Sequence, residues 1–166
     1  MAVRDSLLPE FDQEMAATRL VLERLPEQAF GWRPHAKSYD MGGLATHLAH
    51  IPRWGTSILK HDSYDLAAAD RTPRAMLPTV AEVLAAFDQH TGDVRTALCE
   101  MADGQLNASW SLKRGSHLLL AMPKIAALRA FVVHHSIHHR GQMTVYLRLH
   151  DVALPPLYGP TADELM

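Results

Sequence analysis

Hydrophobic residues recur at helical spacing in four stretches of this chain. From about Ser6 to Arg24, the residues Leu7, Leu8, Phe11, Met15, Thr18, Leu22 and Leu25 trace one face. Asp5 or Ser6 can cap this helix, and Pro26 marks its end. A second helix is predicted from Met41 toward Lys60, capped by Ser38 or Asp40, with Leu44, His47, Leu48, Ile51 and Ile58 on or near one face. Pro52 lies inside that pattern and predicts a kink or a tighter turn. The third runs from Thr79 to Met101 on Val80, Val83, Leu84, Phe87, Thr91, Val94 and Leu98, with Thr79 and Glu82 spaced as a capping box. The fourth begins at Pro123 and reaches about His150.

Between these segments the pattern changes. Residues 61–78 read as an irregular connection. Trp110 and Leu112 alternate on one side of Lys113-Arg114-Gly115-Ser116, and Leu118 and Leu120 alternate on the other, which predicts a short hairpin. The proline-rich tail from Leu154 to Pro160 cannot be regular helix. Four amphipathic helices of similar length predict an all-α fold: a four-helix bundle over residues 1–166 as one domain, with a short β-hairpin before the last helix.

Composition narrows the partners. The 166 residues carry a formal net charge of −2 with no basic stripe or block, so no nucleic-acid partner is expected. No apolar run of about eighteen residues exists and the N-terminus lacks a signal-peptide core, so the expected setting is cytoplasmic, without a membrane partner. The single cysteine, Cys99, excludes an intramolecular disulfide and reads as a structural, reduced thiol. Eleven histidines make the charge sensitive to pH near neutrality.

Those histidines carry the candidate chemistry. In His134-His135-Ser136-Ile137-His138-His139 the four-residue spacing occurs twice. Two helical residues four apart are separated by only about 40° of arc, which offers two imidazoles to one divalent metal. Leu128, Phe131, Val132, His135, His139, Gln142, Tyr146 and Leu149 form one stripe. His135 and His139 are therefore the inward pair, with His134 well off the stripe and His138 at its margin. Without a metal they would be core-edge histidines bonded to other side chains. His47, on the apolar face of the second helix, is the candidate third ligand, with His50 and His117 as competitors and a plain interface histidine as the alternative. Three imidazoles leave coordination positions open, the pattern of a catalytic site. Gln142 and Tyr146 lie further along the same face, where Tyr146 is expected to fill core. Arg140 points away and is expected to pair with an acid such as Asp163 or Glu164. Trp32, Tyr39 and Trp54 are candidates for a pocket rim, though packing is the safer expectation. Ser136 lacks the surroundings of a serine nucleophile.

Leu44-Ala45-Thr46-His47-Leu48-Ala49, the run from His135 to Arg148, and the ending from Pro156 to Glu164 together resemble the DinB/YfiT-like superfamily over nearly the whole chain. The resemblance implies a four-helix bundle with a three-histidine divalent metal site, and its ligands map onto His47, His135 and His139. It also implies a homodimer formed through helix faces, and chemistry of the metal-dependent hydrolase or thiol S-transferase kind. His50 stands where an acidic or neutral residue is expected.

The expectation is therefore a metal-dependent enzyme acting on a small molecule, with zinc or nickel as the metal and a low-molecular-weight thiol as a co-substrate in the transferase case. His50 and His138 are near enough in sequence to be considered as bases. The alternative is a non-catalytic metal- or small-ligand-binding dimeric helical bundle with a stress-related role. A purely structural bundle would bind no metal.

Overall fold

The computed structural model describes residues 3–69 and 75–165. Helix α1 spans Val3–Leu22, α2 Met41–His50, α3 Arg53–Lys60 and α4 Val80–Glu100. The short α5, Asp103–Leu106, precedes strands β2 (Ser109–Arg114) and β3 (His117–Pro123); β1 is Ser63–Asp65. The last helical stretch has three parts: α6 (Lys124–Leu128), a π-helical segment Arg129–His134, and α7 (His135–Arg148).

The fold is mixed α/β, which corrects the all-α expectation. About 57 % of the chain is helical, but three strands form a sheet in the order β1-β2-β3. Strand β2 runs antiparallel to β3, with Trp110 opposite Met122 and Leu112 opposite Leu120, where the alternation predicts a hairpin. Gly115 turns the hairpin at φ +60, a backbone conformation that costs glycine nothing. The unexpected strand is β1, which pairs parallel to β2 with Tyr64 opposite Leu112. It lies inside the stretch expected to be irregular, and three residues are too few to show an alternation. Residues 70–74 of that stretch lie outside the described residues.

Two hydrophobic clusters organise the packing. The larger joins Leu7, Phe11 and Leu22 of α1 to Leu44 and Leu48 of α2, Phe87 and Leu98 of α4, and Met143 and Leu147 of α7. The smaller places Ile58 of α3 and Ala127 of α6 on Trp110 of β2. The sheet is thus held by an apolar surface of α3 and α6. Each fully buried large side chain contributes roughly 1.5–3 kcal/mol.

Local chemistry sets the helix ends. Helix α1 begins at Val3, ahead of the expected caps, so Asp5 and Ser6 lie within it. The Asp40 carboxylate accepts from the Gly43 N–H at 2.8 Å and caps α2. Pro52 has no N–H to donate, and the predicted second helix divides there into α2 and α3. Gly55 lets α3 approach α4, since a Cβ there would stand 2.8 Å from Val94 Cγ2. Thr79 accepts from the Glu82 N–H at 3.2 Å and starts α4. Among the described residues no helix is long and apolar enough to cross a membrane.

The buried face of the last helix differs from the predicted stripe. Ser136, Arg140, Met143 and Leu147 are buried, whereas Leu149 is 59 % exposed and Gln142 is exposed. Two causes act together. The π-helical turn widens the helix before His135 and shifts the phase of the positions on either side. Arg140, expected to pair with an acid such as Asp163 or Glu164 of the tail, is only 1 % exposed. Its guanidinium donates to the Glu14 carboxylate at 2.7 Å, to the Glu14 carbonyl at 2.9 Å, and to the Tyr158 hydroxyl. The tail acids pair elsewhere, Asp163 with Arg148 and Glu164 with Arg24.

Candidate metal centre

His47 comes from the middle of α2, and His135 and His139 from the first turns of α7. The structure brings all three together. His135 Nε2 lies 3.3 Å from His47 Nε2 and 3.0 Å from His139 Nε2. One nitrogen from each ring falls within 4.8 Å of the others, and all three residues are half-buried. His135 and His139 thus sit on the flank of the α7 core stripe that faces α2, beside its fully buried centre.

The two segments that supply the ligands are tied together. Tyr146 of α7 donates its hydroxyl to the Tyr39 carbonyl at 3.1 Å, just before the Asp40 cap. The Tyr39 ring stacks on His47, with centroids 5.6 Å apart and planes 18° apart. This contact sits at the open side of the cluster, since Tyr39 is 53 % exposed. Trp32 packs edge-on against Tyr146 and His150, and Trp54 stacks on Phe131. Only Tyr39 of the three candidate rim aromatics makes a ring contact with a cluster histidine.

The other nitrogens of the α7 rings face acceptors. His139 Nδ1 lies 2.7 Å from Gln142 Oε1, so Nδ1 carries the proton and Nε2 turns a lone pair to the cluster. His135 hydrogen-bonds the Phe131 carbonyl, within the wide π turn. Acceptors behind ligating imidazoles fix the tautomer and ring orientation.

The charge state matches. Burial, followed by the neighbouring His139, His135 and His50, pushes the His47 imidazole down to about 4. Desolvation is also the leading cause that lowers His135 and His139. The neutral imidazole required of a ligand is therefore the stable form at neutral pH.

Three Nε2 atoms converging in a half-buried site have no mutual arrangement of protons that satisfies all of them. A shared cation does satisfy them. With N–metal bonds of about 2.05 Å, adjacent ligand nitrogens stand ~2.9 Å apart at right angles and ~3.3 Å apart at tetrahedral angles. Two edges of the cluster, at 3.0 and 3.3 Å, match these spacings, and the third lies within 4.8 Å. The all-nitrogen donor set suits zinc, nickel, copper or iron.

The remaining histidines lie outside the cluster. His50 faces His90, with ring centroids 5.0 Å apart. His117 opens β3 and is exposed. His134 and His138 are exposed, although the His138 ring lies 4.8 Å from that of His139. Ser136 is fully buried, inaccessible as a nucleophile. Cys99, expected as a structural, reduced thiol, is a free thiol exposed on α4. Neither the π turn nor the Tyr39 stack has a signature in the sequence; the Gln142 contact is signalled only by its place one turn beyond His139.

Comparison with known proteins identifies the family and the fold. The DinB family profile matches residues 1–165. The chain belongs to the DinB family. It is 27 % identical over 162 residues to the uncharacterized protein YrdA of Bacillus subtilis strain 168, covering 96 % of this chain and 90 % of that one. Its fold resembles that of a DinB-like protein from Bacillus cereus ATCC 10987, with a TM-score of 0.72 and 21 % identity, over 93 % of this chain and 97 % of that one. It also resembles the DinB-like protein YjoA from Bacillus subtilis, with a TM-score of 0.70 and 16 % identity, over 92 % and 96 %.

Proposed function

We propose that this DinB-family protein binds a divalent metal through His47, His135 and His139. We further propose that the site is catalytic, of the metal-dependent hydrolase or thiol S-transferase type. The observation that carries the reading is the convergence of three neutral imidazoles within 4.8 Å, two of their three edges at ligand spacing. A metal held there would supply Lewis acidity toward water or a thiol in a position the protein leaves open.

The chain's own residues have separable parts in this reading. His47, His135 and His139 hold the ion. Gln142 and the Phe131 carbonyl fix the α7 rings. Tyr39, stacked on His47 and half exposed, bounds the approach to the centre. Zinc and nickel are the first metals to try.

The test is turnover by the zinc- or nickel-loaded protein. One assay uses p-nitrophenyl acetate as an ester. The other uses 1-chloro-2,4-dinitrobenzene with glutathione or cysteine as the thiol. Metal-dependent turnover, lost at least about 100-fold in a folded His139→Ala variant, is expected, as for removal of an element of the catalytic machinery. Tight metal binding with equal rates in wild type and variant would contradict the catalytic reading and favour a non-catalytic metal-binding protein.

A further inference from the structure

Helix α3 carries a second candidate site. Its sequence, Arg-Trp-Gly-Thr-Ser-Ile-Leu-Lys, contains no acid. Gly55, Ile58 and Leu59 are buried. Arg53, Thr56, Ser57 and Lys60 follow the spacing i, i+3, i+4, i+7 and form one outward stripe made of hydrogen-bond donors.

That stripe is the wall of a groove. One lobe, of about 270 Å³, holds all four of these residues and is closed on the α4 side by His90 and Asp93. A smaller lobe, of about 150 Å³, shares Arg53 and Ser57 and is walled by Trp54 and Tyr64. Arg53 and Ser57 therefore stand where the two lobes meet.

The charges of the groove are uncommitted. Arg19, Arg95, Arg129, Arg140 and Arg148 each lie against a carboxylate. Among the described residues neither Arg53 nor Lys60 has such a partner. Asp93, the carboxylate of the lining, accepts from Gln89 Nε2 at 3.0 Å. Arg53 and Lys60 are about 10 Å apart along the helix axis, a span that two long side chains can close over Thr56 and Ser57. A planar guanidinium fork, an ammonium and two hydroxyls match the acceptors of a doubly charged oxyanion.

We propose that the α3 groove binds a small dianionic oxyanion, a phosphate group or a dicarboxylate, with Arg53 and Lys60 as its charged contacts and the hydroxyls of Thr56 and Ser57 between them. The Trp54–Tyr64 pair, with centroids 4.6 Å apart, gives the smaller lobe an apolar wall for the remainder of the ligand. None of the groove residues belongs to the histidine cluster, and only His50, which also lines the smaller lobe, adjoins it, one turn beyond His47 on α2.

The test is isothermal titration calorimetry of the full chain at low ionic strength, with inorganic phosphate in one arm and malonate in the other. Saturable binding of either anion is expected, weakened at least tenfold in Arg53→Gln and several-fold in Lys60→Gln. Arg114→Gln, at the exposed end of β2, serves as the surface-charge control and should bind as wild type. Arg53 is exposed and has no carboxylate partner among the described residues, so thermal melts of Arg53→Gln should match wild type. No saturable binding in either arm would overturn the proposal. So would binding that Arg53→Gln retains, or that Arg114→Gln weakens equally. Retained binding would put the anion elsewhere, the histidine centre included, and would leave the metal reading intact.

Discussion

Gln142 Oε1 lies 2.7 Å from Nδ1 of His139, one turn further along α7. The contact turns Nε2 of His139 toward His135 and fixes the tautomer that a metal requires. Replacing Gln142 with leucine removes the acceptor and leaves the ring free to turn. Competition with a chromogenic chelator should show metal affinity lowered by about 10- to 100-fold. Gln142→Glu keeps an acceptor and should restore most of it. Equal affinity in the leucine variant would mean that Gln142 does not hold the ring.

Burial gives the histidine cluster a pH signature. The His47 imidazole is held down at about 4, against an ordinary 6.5, and His135 and His139 are lowered in the same direction. Below about 6.5 the unfolded chain binds protons that the folded chain refuses. The stability contributed by the neutral rings is therefore complete above 6.5 and lost as pH falls toward 4. Urea midpoints of metal-free protein should decline over that window, and His47→Gln should make the decline shallower. An identical pH dependence in the variant would contradict the assignment.

The buried pair Arg140–Glu14 predicts a non-additive result. Arg140→Met leaves the Glu14 carboxylate beneath the tail without its guanidinium partner, and Glu14→Leu strands the arginine. Each single change should cost about 3–5 kcal/mol in urea unfolding. The double variant should recover much of that loss, because neither buried charge remains. Strictly additive losses would mean the two side chains are not coupled.

The site was more legible in the sequence than the architecture. His47 sits between Leu44 and Ile51 on an apolar face, and His135 and His139 share the four-residue spacing, so one face of each helix identified the cluster. The details behind it were less visible. Arg140 reads as a surface residue until Glu14, 126 positions away, is known to meet it. A π turn has no composition of its own, so the wide turn at Arg129–His134 and the phase shift it imposes were hidden. Strand β1 is defined by its pairing with Ser111–Lys113, a long-range contact that three residues cannot announce.

The central claim is that His47, His135 and His139 hold one divalent ion. Elemental analysis of untagged protein beside His135→Ala, after exposure to zinc and to nickel, tests it most directly. The account predicts about one equivalent of metal in the wild type and almost none in a variant whose circular dichroism is still helical. Wild-type protein that takes up no metal, or a variant that keeps a full equivalent, would contradict it.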